Sequence, residues 1–279
     1  MNFGLAIWHY PHRTVLENVD FFHKNGFDAE SLLGEHFVNT LRNPEEAETL
    51  AEKIRAHGTV LTVHHKLPGD HSAEKVETFE EEMRLVGNWQ KKHGLIAVLS
   101  FDVSEAIRDN IVPYIRYTLE QVPGCRVAVE DFGLTDEEAA QTEIMKQDPR
   151  FGYLIDLGHM YIRLNGKNTS GHRLFTPSTL EGTGDITSAG FLKALQSKNA
   201  PVVEVHFHNN DGISDQHLFL EDGNLDMREP LKALRDFGFS GVLTIESAPG
   251  FVFKCYGQDA DDGILKTYNT FKQMAEEIL

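Results

Sequence analysis

The stretch Val205-His206-Phe207-His208-Asn209-Asn210-Asp211-Gly212, followed by Asp215-Gln216-His217, places three imidazoles and two carboxylates within thirteen residues. Such a density suits metal ligation or acid/base chemistry, because imidazole nitrogen and carboxylate oxygen both bind divalent cations and both move protons. The β-branched run from Pro201 to Phe207 is bounded by Pro and Gly, which predicts a buried strand that runs out where the cluster begins. Strand ends are where parallel α/β proteins usually build their sites.

Short β-like runs alternate with amphipathic helical runs along the whole chain. Strands are predicted at residues 3–7, 29–33, 60–64, 96–100, 126–130, 153–156, 202–208 and 242–246, each followed by helical signals. Thr14-x-x-Glu17 and Thr135-x-x-Glu138 read as capping boxes, and Asn43-Pro44-Glu45-Glu46 as a cap with an N1 proline and acids for the helix dipole. Gly26, Gly58 and Gly94 end helices, and Pro113 should start, end or kink one. Eight consecutive β/α units without a linker predict a closed (β/α)₈ TIM barrel, a single domain over residues 1–279, in preference to an open doubly wound sheet. There is no G-x-G-x-x-G or Walker A pattern to suggest a nucleotide. The segment from Arg163 to Thr187 is rich in Gly, Thr, Ser and Asn and lacks a period, which predicts a long loop after strand six acting as a substrate-covering lid.

Lys and Arg total 26 against 43 Asp and Glu, a formal net charge of −17 that repels nucleic acid and anionic membrane. The two cysteines, Cys125 and Cys255, form no zinc-binding or disulfide pattern and read as packing residues. The first residues resemble a strand and no secretory signal, and no stretch approaches a membrane span, so a cytoplasmic protein is expected.

In a barrel, the polar residues at strand ends converge on one axis although they are far apart in sequence. Those residues are Glu30, His64 with His65, Ser100 with Asp102, Glu130 with Asp131, Asp156 with His159, His208 with Asp211, and Glu246. So many acids at one mouth repel one another, which a divalent cation relieves. The mixed set Glu130, Asp156, His208 and Glu246 suits manganese, cobalt, zinc or magnesium and leaves the choice among them open. Trp8 and His9 close the first strand, where an aromatic could floor a pocket or simply pack.

The sequence resembles the xylose-isomerase-like TIM barrels, a family that includes sugar isomerases, ketose 3-epimerases, inosose dehydratases and endonuclease IV. The resemblance covers nearly the whole chain. It rests on Val129-Glu130, on Ile155-Asp156-Leu157-Gly158-His159, on His208-x-Asn210-Asp211 with Asp215-x-His217, and on Ile245-Glu246. The D-x-x-H and H-x-N-D…D-x-H patterns are specific together and weak apart. The resemblance implies that Glu130, Asp156, His208 and Glu246 hold the principal metal. It implies that His159, Asp215 and His217 hold a second metal or line the substrate pocket, and that His64 is the family's third-strand histidine. The fourth strand, Ala97-Val98-Leu99-Ser100-Phe101, lacks the histidine with which the endonuclease branch completes a trinuclear zinc cluster.

The chemistry this implies is a metal-dependent isomerase or epimerase that moves a proton through an enediolate intermediate on a small carbohydrate or polyol. Glu130 and Glu246 would remove and return the proton, and His159 would bind or protonate a sugar oxygen. A dehydratase of the inosose or dehydroshikimate type would use much the same site, since eliminating water also begins with proton abstraction. An endonuclease IV-like phosphodiesterase fits less well with the acidic charge. No nucleic acid or membrane partner is expected. Barrels of this kind often self-associate, which leaves a homo-oligomer open.

Overall fold

In the computed structural model, eight parallel strands pair in sequence order and close, β8 returning to β1. They are β1 (Asn2–Ala6), β2 (Ala29–Leu33), β3 (Val60–Lys66), β4 (Ile96–Asp102), β5 (Arg126–Glu130), β6 (Phe151–Asp156), β7 (Val202–Phe207) and β8 (Val242–Ile245). The structure describes residues 2–6, 13–167, 173–178, 180–182, 184–252, 254 and 257–279. Ile7, Trp8, His9 and Cys255 lie outside them, so the expectations for those positions are not addressed.

The connecting helices are α1 (Val15–Lys24), α2 (Gly34–Leu41), α3 (Pro44–His57), α4 (Ala73–His93), α5 (Val112–Gln121), α6 (Asp136–Met145), α7 (Leu157–Asn165), α8 (Ser188–Gln196), α9 (Arg228–Phe237), α10 (Pro249–Val252) and α11 (Gln258–Ile278). Their ends follow local chemistry. Thr14 and Glu17 form a capping box, the Thr14 hydroxyl accepting from the Glu17 N–H and the Glu17 carboxylate from the Thr14 N–H. Asn43 caps α3 with Pro44 in its first turn, and Pro113 sits in the first turn of α5, where it needs no intrahelical partner. Gly58 and Gly94 end α3 and α4 in the left-handed conformation that a Cβ disfavours.

The main apolar core includes Leu5, Leu61, Val63, Val129, Val205 and Phe207 from the strands and Phe22, Leu50, Met83, Ile115, Leu164 and Phe271 from the helices. A smaller cluster of Val98, Ala128, Leu154 and Val203 stands apart from it. Alternation along β7 buries Val205 and Phe207 in the main core and directs Glu204 and His206 to the other face.

Two expectations need correction. Glu30 is not at the barrel mouth: it is the second residue of β2, in register with Leu5 and Leu61, because β2 continues to Leu33. There its buried carboxylate accepts from the Thr59 hydroxyl at 2.7 Å, and burial pushes its pKa up to about 7 against that hydrogen bond. Nor is Arg163 part of a loop. It lies in the last turn of α7, and its side chain is fully buried.

Candidate metal and acid–base centre

The site is built where β3 to β8 end. Glu130 closes β5, Asp156 closes β6 and caps α7, and Glu246 follows β8 directly. The Asp156 Oδ1 accepts from the His159 N–H at 2.8 Å, which fixes the carboxylate and leaves Oδ2 without a hydrogen bond. One turn into α7, His159 points back over the same mouth.

Four overlapping donor groups result among the described residues, two of them with four members. One ligand atom each from Glu130, Asp156, His206 and Glu246 lie within 4.8 Å of one another, and the same holds for His159, His208, Asp215 and His217. Of the sequence-predicted residues, Glu130, Asp156, His159, His208, Asp215, His217 and Glu246 are therefore brought together, but His206 completes the group in which His208 was expected. His208 stands between the groups, its Nε2 3.2 Å from Asp156 Oδ1 and 3.4 Å from Asp215 Oδ1. His64 joins the edge of the first group, with Nε2 3.3 Å from Glu130 and 3.5 Å from Asp102 and Nδ1 3.1 Å from the Ser100 hydroxyl.

Hydrogen bonding at the far ring nitrogens aims these imidazoles. The Nδ1 of His217 lies 2.9 Å from the Glu246 carbonyl, that of His208 3.2 Å from the Asn209 carbonyl, and that of His159 2.7 Å from the Asp131 carboxylate. An Nδ1–H donated to each oxygen aims the three Nε2 atoms inward, 3.2 to 3.4 Å from Asp215 Oδ1, where a neutral ring would offer its lone pair to a cation. Carboxylate or carbonyl behind and lone pair in front is the arrangement of a metal-binding histidine.

Burial opposes charge on every one of these groups, and pairing decides which keep it. Burial lowers the His64 pKa, but Asp102 and Glu130 outweigh it and raise it to about 10. Against the same burial, Asp215 raises His217 to about 9, and Asp156 with Asp215 holds His159 well above the usual histidine range. His206 is raised likewise by Glu246 and Glu204. Despite burial, Asp156 is kept well below the usual carboxylate range by His159 and His208, and Asp215 by His159 and His217. Glu130 moves the other way, pushed up to about 8 by burial and by Asp102 and Glu246 in spite of the His64 hydrogen bond.

The donors fit a divalent cation. They are oxygen and nitrogen with no thiolate, and Asp156 Oδ2, Glu246 Oε2, His159 Nε2, His208 Nε2 and Asp215 Oδ1 are buried without a hydrogen-bond partner.

Several participants were not assigned a role from the sequence. His206 and Glu204 share the inward face of β7, a period of two that could have pointed to both. His206 Nδ1 lies 3.3 Å from Glu246 Oε2 and Nε2 3.6 Å from Glu204 Oε1, so the imidazole sits between two buried carboxylates. Asp131, named only as a neighbour of Glu130, adopts φ +42, a left-handed conformation rare for a residue with a side chain. No local pattern marked Glu181.

Parallel strands closed in sequence order, with acids and imidazoles gathered at their C-terminal ends, define a (β/α)₈ barrel with a polar, cation-suited mouth. The chain belongs to the xylose isomerase-like TIM barrel family, whose model matches residues 19–252. It is similar over its full length to the crystal structure of a D-tagatose 3-epimerase-like protein, at 19% identity, 100% coverage of both chains and TM-score 0.63. It also resembles the IOLI protein crystallised with a bound zinc atom, at 15% identity, 100% and 99% coverage and TM-score 0.67. D-psicose 3-epimerase with D-tagatose from Clostridium cellulolyticum H10 is 11% identical, with 99% coverage of each chain and TM-score 0.67. At these identities the likeness is one of fold. Among curated proteins, the uncharacterized protein MJ1311 of Methanocaldococcus jannaschii is 28% identical over 133 residues, 48% of this chain and 37% of that one. The match thus spans little more than a third of that relative's length. Among the described residues, no helix is long and apolar enough to cross a membrane.

Proposed function

We propose that the protein is a divalent-metal-dependent isomerase or epimerase of a small carbohydrate or polyol. The observation that carries this reading is the pair Glu130 and Glu246, from β5 and β8, converging with Asp156 and the β7 imidazoles in one buried mouth. Glu130, Asp156, His208 and Glu246 hold the cation. His208 is assigned over His206 because it lies two residues further along the chain, just past the end of β7 and roughly 6 to 7 Å closer to where a substrate enters. A cation held there would polarise a carbonyl and its neighbouring hydroxyl and so acidify the proton on the hydroxyl-bearing carbon. One glutamate takes that proton on one face of the substrate, and the other delivers a proton to complete the exchange. His159, held by Asp131, hydrogen-bonds a substrate oxygen, and His64 with Ser100 lines the β3–β4 side. The sugar epimerases of the same fold support this reading of the substrate class.

His159, Asp215 and His217 form the second set, able to hold another cation or to bind substrate hydroxyls. Elemental analysis of protein purified without chelators separates these roles. One equivalent, with deuterium incorporated from solvent next to the carbonyl of a ketose or inosose, fits the proposal. Two or three equivalents with cleavage of abasic DNA would replace it by hydrolytic chemistry. A conjugated enone forming from an inosose would move the assignment to a dehydratase.

A further inference from the structure

Arg163 has the largest fully buried side chain in the described molecule, and its partners lie in three different parts of the chain. Nη2 donates to Asp131 Oδ1 at 3.1 Å, after β5. Nε donates to Glu181 Oε2 at 2.8 Å and Nη2 to Glu181 Oε1 at 3.2 Å, while Nη1 donates to the Leu174 carbonyl at 3.3 Å. Lys198, just after α8, adds a 2.7 Å bond to Glu181 Oε1. The side chains of Asp131, Glu181 and Lys198 are fully buried, so two cations meet two carboxylates out of reach of water.

Each partner leads to the site. The second oxygen of Asp131 lies 2.7 Å from His159 Nδ1, and Arg163 follows His159 by one turn on the same face of α7. The Asp131 carbonyl accepts from the buried Arg108 at 2.8 Å, so the residue is held at both ends, which is what its φ of +42 requires. Next to Leu174, the Phe175 ring stands edge-on to the His159 imidazole, with centroids 5.4 Å apart at 70°.

We propose that Arg163 is the positioning residue of this centre: its guanidinium fixes the carboxylate that orients His159 and, with Lys198, anchors Glu181 and the Leu174 carbonyl so that Phe175 is set beside that imidazole. Substrate then meets an imidazole with its Nε2 already aimed and an aromatic wall already seated, both fixed by one planar fork. Lysine cannot replace it, because a point charge lacks the separate donors for Asp131, Glu181 and the Leu174 carbonyl. The assignment of His159 to the site comes from the functional reading above, but the geometry tested is independent of it.

The experiment needs neither substrate nor metal. In histidine-labelled protein, the Nδ1 proton of His159, identified by its loss in His159→Gln, reports the Asp131 bond. Amide exchange over 173–182, followed by mass spectrometry, reports the anchor. In Arg163→Lys the His159 proton signal should shift or broaden, and exchange in the segment should quicken about tenfold or more, as expected for a lost bond to a charged group. A folded Arg163→Lys protein with either readout unchanged overturns the proposal. Should that variant fail to fold, two partner variants decide. Asp131→Asn must lose the His159 signal while keeping the segment protected, and Glu181→Gln must do the reverse; any other pattern overturns the proposal. Absence of epimerase activity bears on none of these outcomes.

Discussion

Gly158 packs directly beneath the His208 imidazole: a Cβ at position 158 would fall 2.3 Å from His208 Cε1 and 2.4 Å from Nε2. The Gly158 carbonyl also accepts from the Asn210 side chain at 3.0 Å, so the first turn of α7 and the loop after β7 are fitted to each other. Glycine at 158 is thus a condition for placing His208. Gly158→Ala should leave the fold intact, since alanine favours the helix, but cost about 10- to 100-fold in metal affinity through the displaced ring. Calorimetric titration with manganese or zinc checks this, and unaltered affinity would remove His208 from the ligand set.

The two imidazoles of β7 should respond differently to deletion. His208→Asn is expected to abolish tight binding of the principal cation. His206→Asn should keep the cation and lower turnover about tenfold or more, because Glu246 loses the ring lying 3.3 Å from its Oε2. Equilibrium dialysis beside solvent-exchange kinetics separates the two, and the opposite pattern would place the cation one layer deeper.

Glu246→Gln keeps the size of the side chain and removes its charge and basicity. The variant should be folded by circular dichroism, hold less metal and show turnover reduced by at least about 10²-fold, the ordinary contribution of a positioned general base. Undiminished deuterium incorporation in this variant would sink the proton-transfer assignment.

Glu30 supplies a test of stability. Its folded pKa, raised to about 7, stands above the value of 4.5 expected in the unfolded chain, so its contribution is fully favourable below about 4.5 and is lost as pH rises toward 7. Glu30→Gln should therefore stabilise the protein at pH 8 by up to about 3 kcal/mol and have little effect at pH 4. Denaturant melts at the two pH values measure this, and an equal effect at both would show that the carboxyl titrates normally when folded.

Much of the barrel was legible because its signals are local. The alternation of strands and helices, the caps at Thr14 and Asn43, and the break at Pro113 each depend on a few neighbouring residues, and the observed strand limits fall within two residues of those expected. The strand-end rule likewise points to Glu130, Asp156, His159, His208 and Glu246, which share one mouth with Asp215 and His217 of the family pattern. It misplaces Glu30, which is the second residue of β2 and lies well short of its C-terminal end. What stayed hidden depends on distant pairings. The composition from 163 to 187 suggested an irregular loop, yet α7 runs on to Asn165, because the charge that would keep Arg163 in water is met by Asp131 and Glu181. His206 went unassigned because the H-x-N-D pattern drew attention to its neighbour, although alternation puts both on one face.

The ion pairs beneath the mouth also limit how the barrel could be re-engineered. Loops over barrel mouths are the usual material for transplanting specificity, since they can be exchanged without rebuilding the strands. Here a donor loop arriving without an acid at position 181 would strand two buried cations, Arg163 and Lys198, with the Asp131 carboxylate as the remaining counter-charge among these partners. A working chimera therefore has to transfer Glu181 together with Phe175, or replace Arg163 and Lys198 in the same step.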